Sequence, residues 1–170
     1  MLVKNELLKL LNDKSIHYKK YDHEPLYSVE DSKNKRGEIR GSHTKNLFLK
    51  NKKNQFFLFS CDEKSLVDLK KFSKSIGFGN LSFAKEKYLS SLLGVQPGSV
   101  SPYALLNDMN NEVLFYLDNK LYANEYLNFH PLINTSTITT KTDDFIKFMI
   151  ENNKKIHIFS LNEYRVLNKI

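Results

Sequence analysis

Residues 45–60 read KNLFLKNKKNQFFLFS, and this stretch decides the class of fold. Two apolar runs, at residues 47–50 and 55–60, stand on either side of the polar residues 51–54. Apolar runs joined by a short polar connection are typical of a β-hairpin. A hairpin pairs its strands antiparallel, so the sheet of this protein cannot be purely parallel.

Helical and extended patterns alternate on both sides of this hairpin. Before it, the spacing predicts a helix through residues 3–11, a strand at 16–21 and a short helix that starts near Ser28. After it, the pattern predicts a helix over 66–76 ended by Gly77, a strand at 81–83 and a helix through 88–93 ended by Gly94. A second hairpin, of residues 113–117 with 121–129, is predicted next. The last predicted elements are a helix from about 143 to 150 and a strand at 157–159. The order predicts one α+β domain over residues 1–170, with a mixed, mostly antiparallel, curved or barrel-like sheet surrounded by helices.

The composition is that of a folded protein with an uneven charge. Hydrophobic residues make up 41% and charged residues 26%, and Cys61 is the only cysteine, which excludes an intramolecular disulfide framework and a cysteine-based zinc site. The sequence has no apolar stretch of membrane-spanning length and no secretory pattern at residues 1–6, so we expect a soluble cytoplasmic protein.

The net charge is +7, and residues 1–75 carry 17 of the 26 basic side chains but only 10 of the 19 acidic ones. All the excess positive charge therefore lies there, which favours a polyanionic partner such as nucleic acid. The alternative is a lysine-rich surface that is merely solvated.

Three segments carry residues that a simple core does not need. The first is GSHTKNLFLK at 41–50, where Lys45 stands at the start of an apolar strand. The sheet would fix the direction of its ammonium group, which could then pair with a phosphate or an ester carbonyl. A solvated lysine at a strand end is the more common alternative.

The second segment is LGVQPGSVSPYALLND at 93–108, which holds two of the four prolines and two of the six glycines. A loop of this kind can direct backbone N–H groups at a carbonyl oxygen or a phosphate. Pro102 predicts the first turn of a helix whose free N–H groups would lie beside the loop. The alternative is an ordinary connection between two helices, and the concentration of glycine and proline favours a binding loop.

The third segment is NFHPLINTSTITT at 128–140, where His130 follows a predicted strand and precedes a proline. The histidine could bind an amine or relay a proton, or it could be satisfied by local backbone groups. The other histidines, His17, His23, His43 and His157, lack the spacing of metal ligands, and no glycine-rich phosphate loop occurs. Cys61 follows an apolar strand and is interpreted as a buried small residue. We therefore expect a site without metal or cofactor.

Taken together, these segments resemble the YbaK and prolyl-tRNA deacylase superfamily, which also supplies the insertion domain of bacterial prolyl-tRNA synthetases. The similarity runs from the first helix through HEPLYSVEDS (23–32), KNLFLKNKKNQFFL (45–58), SLVDLKKFSKSIG (65–77), LSFA (81–84) and the two loop segments to the last helix. The nearest subgroup is the freestanding alanyl-tRNA(Pro) deacylases of the ProX or PrdX type.

The resemblance implies roles for individual residues. Lys45 matches the family's essential lysine, which is thought to hold the phosphate of the 3′-terminal adenosine, and Asn46 would belong to the same pocket wall. His130 matches the histidine that contacts the amine of the substrate. Asn134 and Thr135 match the pattern that follows His-Pro in the subgroup.

The Gly-x-x-x-Pro loop of the family corresponds to Gly98, Ser99, Val100, Ser101 and Pro102. In the family, the backbone of this loop helps to bind the terminal nucleotide and the aminoacyl group. Of these residues, Gly98 and Ser99 join Lys45 and His130 as candidate catalytic residues, and the others are candidate substrate-binding residues.

The implied reaction is metal-free hydrolysis of the ester between a wrong amino acid and the 3′ end of tRNA(Pro), with alanine as the expected amino acid. The implied partner is the acceptor end of tRNA(Pro), with prolyl-tRNA synthetase or elongation factor Tu as further candidates, and a monomer is expected. Three alternatives stay open: a deacylase for cysteine, serine or threonine errors, a non-catalytic tRNA-binding module, and a hydrolase of small amino-acid esters.

Overall fold

The computed structural model describes residues 1–26, 30 and 38–170 of the chain. The predicted short helix near Ser28 lies outside these residues. The helices are α1 (Lys4–Asp13), α2 (Leu69–Ile76), α3 (Glu86–Tyr88), which continues into a π-helical turn (Leu89–Leu93), a 3₁₀ helix (Pro102–Asn107), α4 (Asn119–Tyr122) and α5 (Thr142–Glu151). The strands are β1 (Tyr18–Asp22), β2 (Ser42–Lys50), β3 (Phe56–Asp62), β4 (Ser82–Phe83), β5 (Val113–Asp118), β6 (Tyr126–Phe129), β7 (Ser136–Lys141), β8 (Ile156–Ser160) and β9 (Arg165–Lys169).

The described strands form one open sheet in the order β1-β7-β6-β2-β3-β5-β8-β9, and β4 pairs with β2. The predicted hairpin of β2 and β3 is present, with Lys45 opposite Cys61 and Lys50 opposite Phe56. Pairs β1–β7, β2–β4, β6–β7 and β8–β9 are also antiparallel, whereas β2–β6, β3–β5 and β5–β8 are parallel. The predicted α+β class with a mixed, mostly antiparallel sheet is confirmed.

The prediction of a second hairpin over residues 113–129 is wrong. β5 lies between β3 and β8, β6 lies between β2 and β7, and α4 connects the two strands. The sequence of β5, VLFYLD, is buried along nearly its whole length. A continuous apolar run of this kind is typical of a parallel strand covered on both faces, and not of a hairpin strand with one wet face.

Two strands were not predicted from the sequence. β7 has the threonine-rich sequence STITTK, and this composition indicated a polar cluster rather than a strand. β9 is an edge strand that is mostly exposed, so its pattern carries little apolar signal. The predicted helix ends are confirmed, because Gly77 and Gly94 both adopt the left-handed conformation, with φ of +77° and +64°.

The two faces of the sheet are covered differently. On one face, the main core contains residues from α1, the 3₁₀ helix and α5, such as Leu11, Tyr103 and Phe148. On the other face, Phe72 of α2 packs on β3, β5 and β8 in a second cluster, which we call the α2 cluster: Leu49, Phe57, Phe59, Cys61, Phe72, Tyr116 and Phe159. In the described part of the chain, no helix is both long and apolar enough to cross a membrane.

Candidate active site

Lys45 lies near the start of β2 and is half-buried. Its ammonium group donates a hydrogen bond to the backbone carbonyl of Ser65, in the segment that follows β3. Side chains alternate between the two faces along a strand, so Lys45 leaves β2 on the same face as Leu47 and Leu49, which belong to or pack against the α2 cluster. The sheet and the Ser65 carbonyl therefore fix the direction of this ammonium group at the margin of that cluster.

Asn46 leaves β2 on the opposite face, toward the main core. Its Nδ2 donates to the carbonyl oxygen of Val100 at 3.0 Å, and its Oδ1 accepts from the hydroxyl of Ser60 at 2.6 Å. Asn46 and Lys45, for which the resemblance implies one pocket wall, thus leave β2 on opposite faces. Asn46 attaches the loop at residues 98–102 to the middle of the sheet.

The loop itself is shaped by local hydrogen bonds. Gly98 has a φ of +85°, a conformation that favours glycine, and the N–H of Ser99 donates to the Gln96 carbonyl at 3.0 Å. Ser101 caps the 3₁₀ helix, because its hydroxyl accepts from the N–H of Tyr103 at 3.3 Å. The predicted first-turn position of Pro102 is confirmed. The N–H groups of Ser99, Tyr103 and Ala104 are used internally, since that of Ala104 also donates to the Ser101 carbonyl.

His130 follows directly after β6, and its Nδ1 lies 2.8 Å from the carbonyl oxygen of Ser136. A carbonyl only accepts, so Nδ1 donates this hydrogen bond, and in the neutral tautomer Nε2 would be the acceptor nitrogen. The parallel pairing of β2 with β6 ends at His43 and Asn128. Lys45 and His130 each lie two residues beyond that last pair, at the point where β2 and β6 part.

His23 is a candidate residue that sequence reasoning missed. Its ring lies edge-on to that of His130, with 6.0 Å between the ring centroids. Its Nδ1 donates to the Glu24 carbonyl at 2.8 Å, and its Nε2 accepts from the hydroxyl of Thr137 at 2.9 Å. The available signal was its position at the start of the HEPLYSVEDS segment, but nothing in the sequence alone pairs it with His130.

Asn134 and Thr135 hold the segment that carries His23. The N–H of His23 donates to the Thr135 carbonyl at 3.0 Å, and the N–H of Leu26 donates to the Asn134 carbonyl at 3.1 Å. The side-chain amide of Asn134 also donates to the Leu26 carbonyl, at 3.4 Å. Thr135 thus holds this segment through its backbone carbonyl, and Asn134 holds it through both its carbonyl and its side-chain amide.

A buried polar network continues from this end of the sheet along β6 and β7. Asn128, which is buried, accepts a hydrogen bond from the hydroxyl of Thr139 and donates to the backbone carbonyl of Arg40 at 3.0 Å. Gly41, which follows Arg40 in the chain, has a φ of +98°. A Cβ at this position would lie 2.9 Å from both the Cβ and the carbonyl oxygen of Tyr126. The absence of a side chain at Gly41 therefore lets the chain pass close to β6.

Cys61 does not supply a nucleophile to this site. Burial raises the pKa of its thiol to about 12, against a smaller opposite effect of the nearby Lys45 ammonium, so the thiol is protonated at neutral pH. Among the residues that the structure describes, no group of three or more His, Cys, Asp or Glu side chains is placed to hold a metal ion.

Comparison with known proteins places this arrangement in a family. The aminoacyl-tRNA editing domain family matches residues 23–148, a range that contains all the candidate residues described above. The chain belongs to the aminoacyl-tRNA editing domain family. The prolyl-tRNA editing protein ProX of Acetoanaerobium sticklandii is 32% identical over 153 residues, covering 89% of this chain and 93% of that protein.

Two further relatives extend the similarity. The prolyl-tRNA synthetase associated domain-containing protein 1 of Xenopus laevis is 32% identical over 152 residues, covering 86% of this chain and 90% of that protein. A solved structure described as a candidate trans-editing enzyme for prolyl-tRNA synthetase has the same fold, with a TM-score of 0.66, 16% identity, and coverage of 93% of this chain and 97% of that one. This editing-domain chain therefore shares its family with proteins associated with prolyl-tRNA editing.

Proposed function

We propose that this protein is a trans-editing aminoacyl-tRNA deacylase, which hydrolyses mischarged Ala-tRNA(Pro) to free alanine and tRNA(Pro). The observation that carries the proposal is the placement of Lys45 and His130 at the point where β2 and β6 part, with Asn46 attaching the 98–102 loop to the same strand. Membership of the editing family and the similarity to a ProX protein support it. Residues 1–170 act as one editing domain in the cytoplasm, where charged tRNA is used.

In this proposal, Lys45 binds the negative charge of the substrate. An ammonium group has three donors, so Lys45 can keep its hydrogen bond to Ser65 while it donates to a phosphate or to the ester carbonyl. An aminoacyl ester is already activated, and catalysis then depends mainly on positioning and on stabilising the oxyanion that forms as water attacks. A nucleophilic side chain is not required for this reaction.

His130 is proposed to bind the amine of the aminoacyl group. Its Nδ1 proton is committed to the Ser136 carbonyl, which fixes the ring plane and presents Nε2 as an acceptor. The edge of His23 packs on the ring from the side. An acceptor held in one direction can orient an ammonium or amine relative to the ester, which is the positioning that the reaction needs.

The loop at residues 98–102 is proposed to bind the terminal nucleotide and to limit the size of the amino acid. Its position is fixed by Asn46 on one side and by the Ser101 cap on the other. A cavity excludes the larger proline ring more effectively than it rejects a smaller side chain, so a second site can remove alanine that the synthetase accepts. We further propose that the substrate is delivered as tRNA(Pro), with prolyl-tRNA synthetase or elongation factor Tu as possible donors.

The test is the release of labelled amino acid from tRNA(Pro) charged separately with alanine, proline, cysteine or serine. We expect fast loss of alanine with proline spared. Faster loss of cysteine or serine than of alanine would assign the protein to a sister activity of the same family. Binding of all four charged tRNAs without any hydrolysis would identify a non-catalytic tRNA-binding module and contradict the proposal.

A small-ester control separates the remaining alternative. Alanine methyl ester offers the same bond without RNA, so a tRNA deacylase should hydrolyse it at least 100-fold less efficiently than Ala-tRNA(Pro), because the binding energy of the RNA is missing. Equal efficiency on both substrates would show a general hydrolase of amino-acid esters. The dependence on salt gives a second criterion, since contacts with phosphates weaken as salt rises.

A further inference from the structure

A basic and aromatic cleft lies along the same face of the sheet as Lys45. It is a cavity of about 390 Å³ next to β1, β6 and β7, and we call it the Tyr–Arg cleft. The lining residues that matter here are Lys19, Tyr21, Arg40, Tyr126, Thr139 and Lys141. Neither the candidate active site nor the proposed reaction uses this cleft.

The charge of the cleft is positive. Three of its lining residues, Lys19, Arg40 and Lys141, are cations, and all three are exposed, whereas Asp144 is its acidic lining residue. Arg40 also forms an exposed ion pair with Glu125, at 3.1 Å, which is worth little in water and does not prevent a second contact of the guanidinium. The cleft therefore offers several donors to a polyanion.

Its aromatic rings are arranged for stacking. The guanidinium of Arg40 lies 4.2 Å from the centroid of the Tyr126 ring, and the ammonium of Lys19 lies 5.0 Å from that of Tyr21. A planar guanidinium over an aromatic ring is a surface on which a nucleobase can stack, and such stacking does not depend on base identity. The close approach that Gly41 permits is what places Arg40 beside Tyr126.

The strand register connects the cleft to the candidate active site along one face. Tyr126 lies opposite Lys141 on β7, and Asn128 lies opposite Thr139. Asn128 also pairs with His43 of β2, and paired residues point to the same face of a sheet. All of these residues therefore share the face on which Lys45 lies. From Tyr126 to His130 is four residues along one strand, or about 13 Å at about 3.3 Å per residue. That length matches a few stacked nucleotides at about 3.4 Å each.

We propose that the Tyr–Arg cleft binds the RNA strand of the aminoacyl-tRNA a few nucleotides away from the reacting ester, with phosphates on Lys19, Arg40 and Lys141 and a base stacked on the Arg40 guanidinium that lies over Tyr126. This inference rests on the proposed function, because it assumes that the ester lies beside Lys45 and His130. The cleft contributes affinity and register for the RNA, and it takes no part in the chemical step.

The experiment compares two arginines that stand in similar surroundings. Arg40 pairs with Glu125 and Arg165 pairs with Glu163, and both arginine side chains are largely exposed, at 68% and 62%. Arg165 lies on β9, at the far end of the sheet from β1. Binding of uncharged tRNA(Pro) is measured for Arg40→Gln and Arg165→Gln at several salt concentrations, and Tyr126→Ser is compared with Tyr126→Phe, which keeps the ring.

We expect Arg40→Gln and Tyr126→Ser each to raise the Kd by about tenfold, and Arg40→Gln to reduce the slope of log K against log salt by about one. Arg165→Gln and Tyr126→Phe should stay within about twofold of the wild type. With Ala-tRNA(Pro), the two damaging variants should raise KM and leave kcat at saturating substrate within about twofold. Thermal unfolding of each variant checks that the fold is kept.

The proposal would be overturned if Arg40→Gln and Arg165→Gln bound tRNA with equal affinity. Equal affinities of Tyr126→Ser and Tyr126→Phe would also overturn it. So would the finding that the wild-type protein does not bind tRNA. These results are distinct from a failure of the proposed function. If the cleft variants lose tRNA binding as expected but no mischarged tRNA is hydrolysed, the RNA-binding cleft stands and the deacylase assignment fails. If hydrolysis is normal and KM is unchanged in the variants, the cleft assignment fails alone.

Discussion

The same face of the sheet is built in two different ways on the two sides of β2. Toward β3, β5 and β8, its side chains are apolar or aromatic, and Phe59 stacks on Phe72 of α2 with ring centroids 4.7 Å apart. Toward β6, β7 and β1, the corresponding positions hold Asn128, Thr139 and other polar groups. Lys45 lies on β2, at the boundary between the two regions.

The difference shows which half is held together by apolar packing and which by directional hydrogen bonds. Apolar side chains in the α2 cluster stabilise the fold by leaving water and need no specific partner. Buried polar side chains stabilise the fold only when each finds a hydrogen-bond partner, and Asn128 and Thr137 do so through Arg40, Thr139 and His23. Such a half is kept in one arrangement by directional bonds, which is what a binding site requires.

The largest expected effect comes from opening the apolar half. Phe72→Ala removes a fully buried ring that contacts Phe59, Tyr116 and Phe159, and we expect the free energy of unfolding to fall by about 3–5 kcal/mol. The matched change in the polar half is Thr139→Val, which removes the hydroxyl that donates to Asn128. We expect this variant to lower the free energy of unfolding by about 1–3 kcal/mol. Urea unfolding measures both. A larger loss for Thr139→Val than for Phe72→Ala would reverse the assignment of the two halves.

The next effect concerns the boundary residue. Lys45→Ala should lower kcat/KM for the mischarged tRNA by about 100- to 1000-fold, because the substrate loses a charged donor at the reacting centre. Lys50→Ala, at the other end of the same strand, is the control and should stay within about threefold of the wild type. Hydrolysis assays and thermal unfolding are run on both variants. Unchanged turnover in Lys45→Ala would show that Lys45 does not take part in the reaction and would contradict its assignment as a catalytic residue.

A smaller effect is expected where β2 holds the loop. Asn46→Ala leaves the Val100 carbonyl and the Ser60 hydroxyl without this partner, so we expect a loss of about 1–2 kcal/mol in unfolding free energy and about tenfold in kcat/KM. Ser60→Ala breaks only the bond to Asn46 Oδ1 and leaves the loop attached. Its kcat/KM should fall by less than about threefold. Equal losses of activity in the two variants would show that attachment of the loop is not what Asn46 contributes.

The smallest effect is a pH dependence on the apolar side. Burial lowers the pKa of His157 below its ordinary 6.5, a hydrogen bond to the Phe115 carbonyl partly opposes this, and the positive charges of Lys169 and Lys155 lower it further. The folded state therefore favours the neutral ring, whereas the unfolded chain binds a proton near pH 6.5. This contribution to stability is present above about pH 6.5 and is lost as the pH falls below that value.

Because the His157 ring is partly exposed, solvent screening limits the contribution to less than about 1 kcal/mol. Unfolding free energies measured at pH 7.5 and pH 5.5 check the sign. The wild type should lose more stability over this interval than His157→Gln, which has no titrating group at this position. An equal or larger loss in the variant would contradict the prediction.

The parts of the fold that the sequence predicted are those with local signals. The β2–β3 hairpin, the helix ends at Gly77 and Gly94, and the first-turn position of Pro102 all depend on residues close together in the chain. The second hairpin was mispredicted because β5 pairs with strands far from it in sequence, and no local pattern records such a pairing.

The sequence supplies candidate residues for the site through the family resemblance, and it does not supply their geometry. The family resemblance pointed to Lys45, the 98–102 loop and His130, and the alternation of side chains along β2 then separates Lys45 from Asn46. His23 was missed because its partners, Thr137 and His130, are more than 100 residues away. The contacts of Asn134 and Thr135 were hidden for another reason: two of them use backbone carbonyls, which every residue has.

The parallel pairing of β2 with β6 also determines when the site can form during synthesis and folding. It joins Ser42 to Leu127, and β6 is held from its other side by β7, which ends at Lys141. Contacts between segments so distant in sequence require the closure of a long loop, which costs conformational entropy. A nascent chain that has not yet exposed β7 to solvent outside the ribosome therefore lacks the complete part of the sheet that holds β6 beside β2. The proposed hydrolytic activity therefore requires a chain that has been synthesised at least through β7.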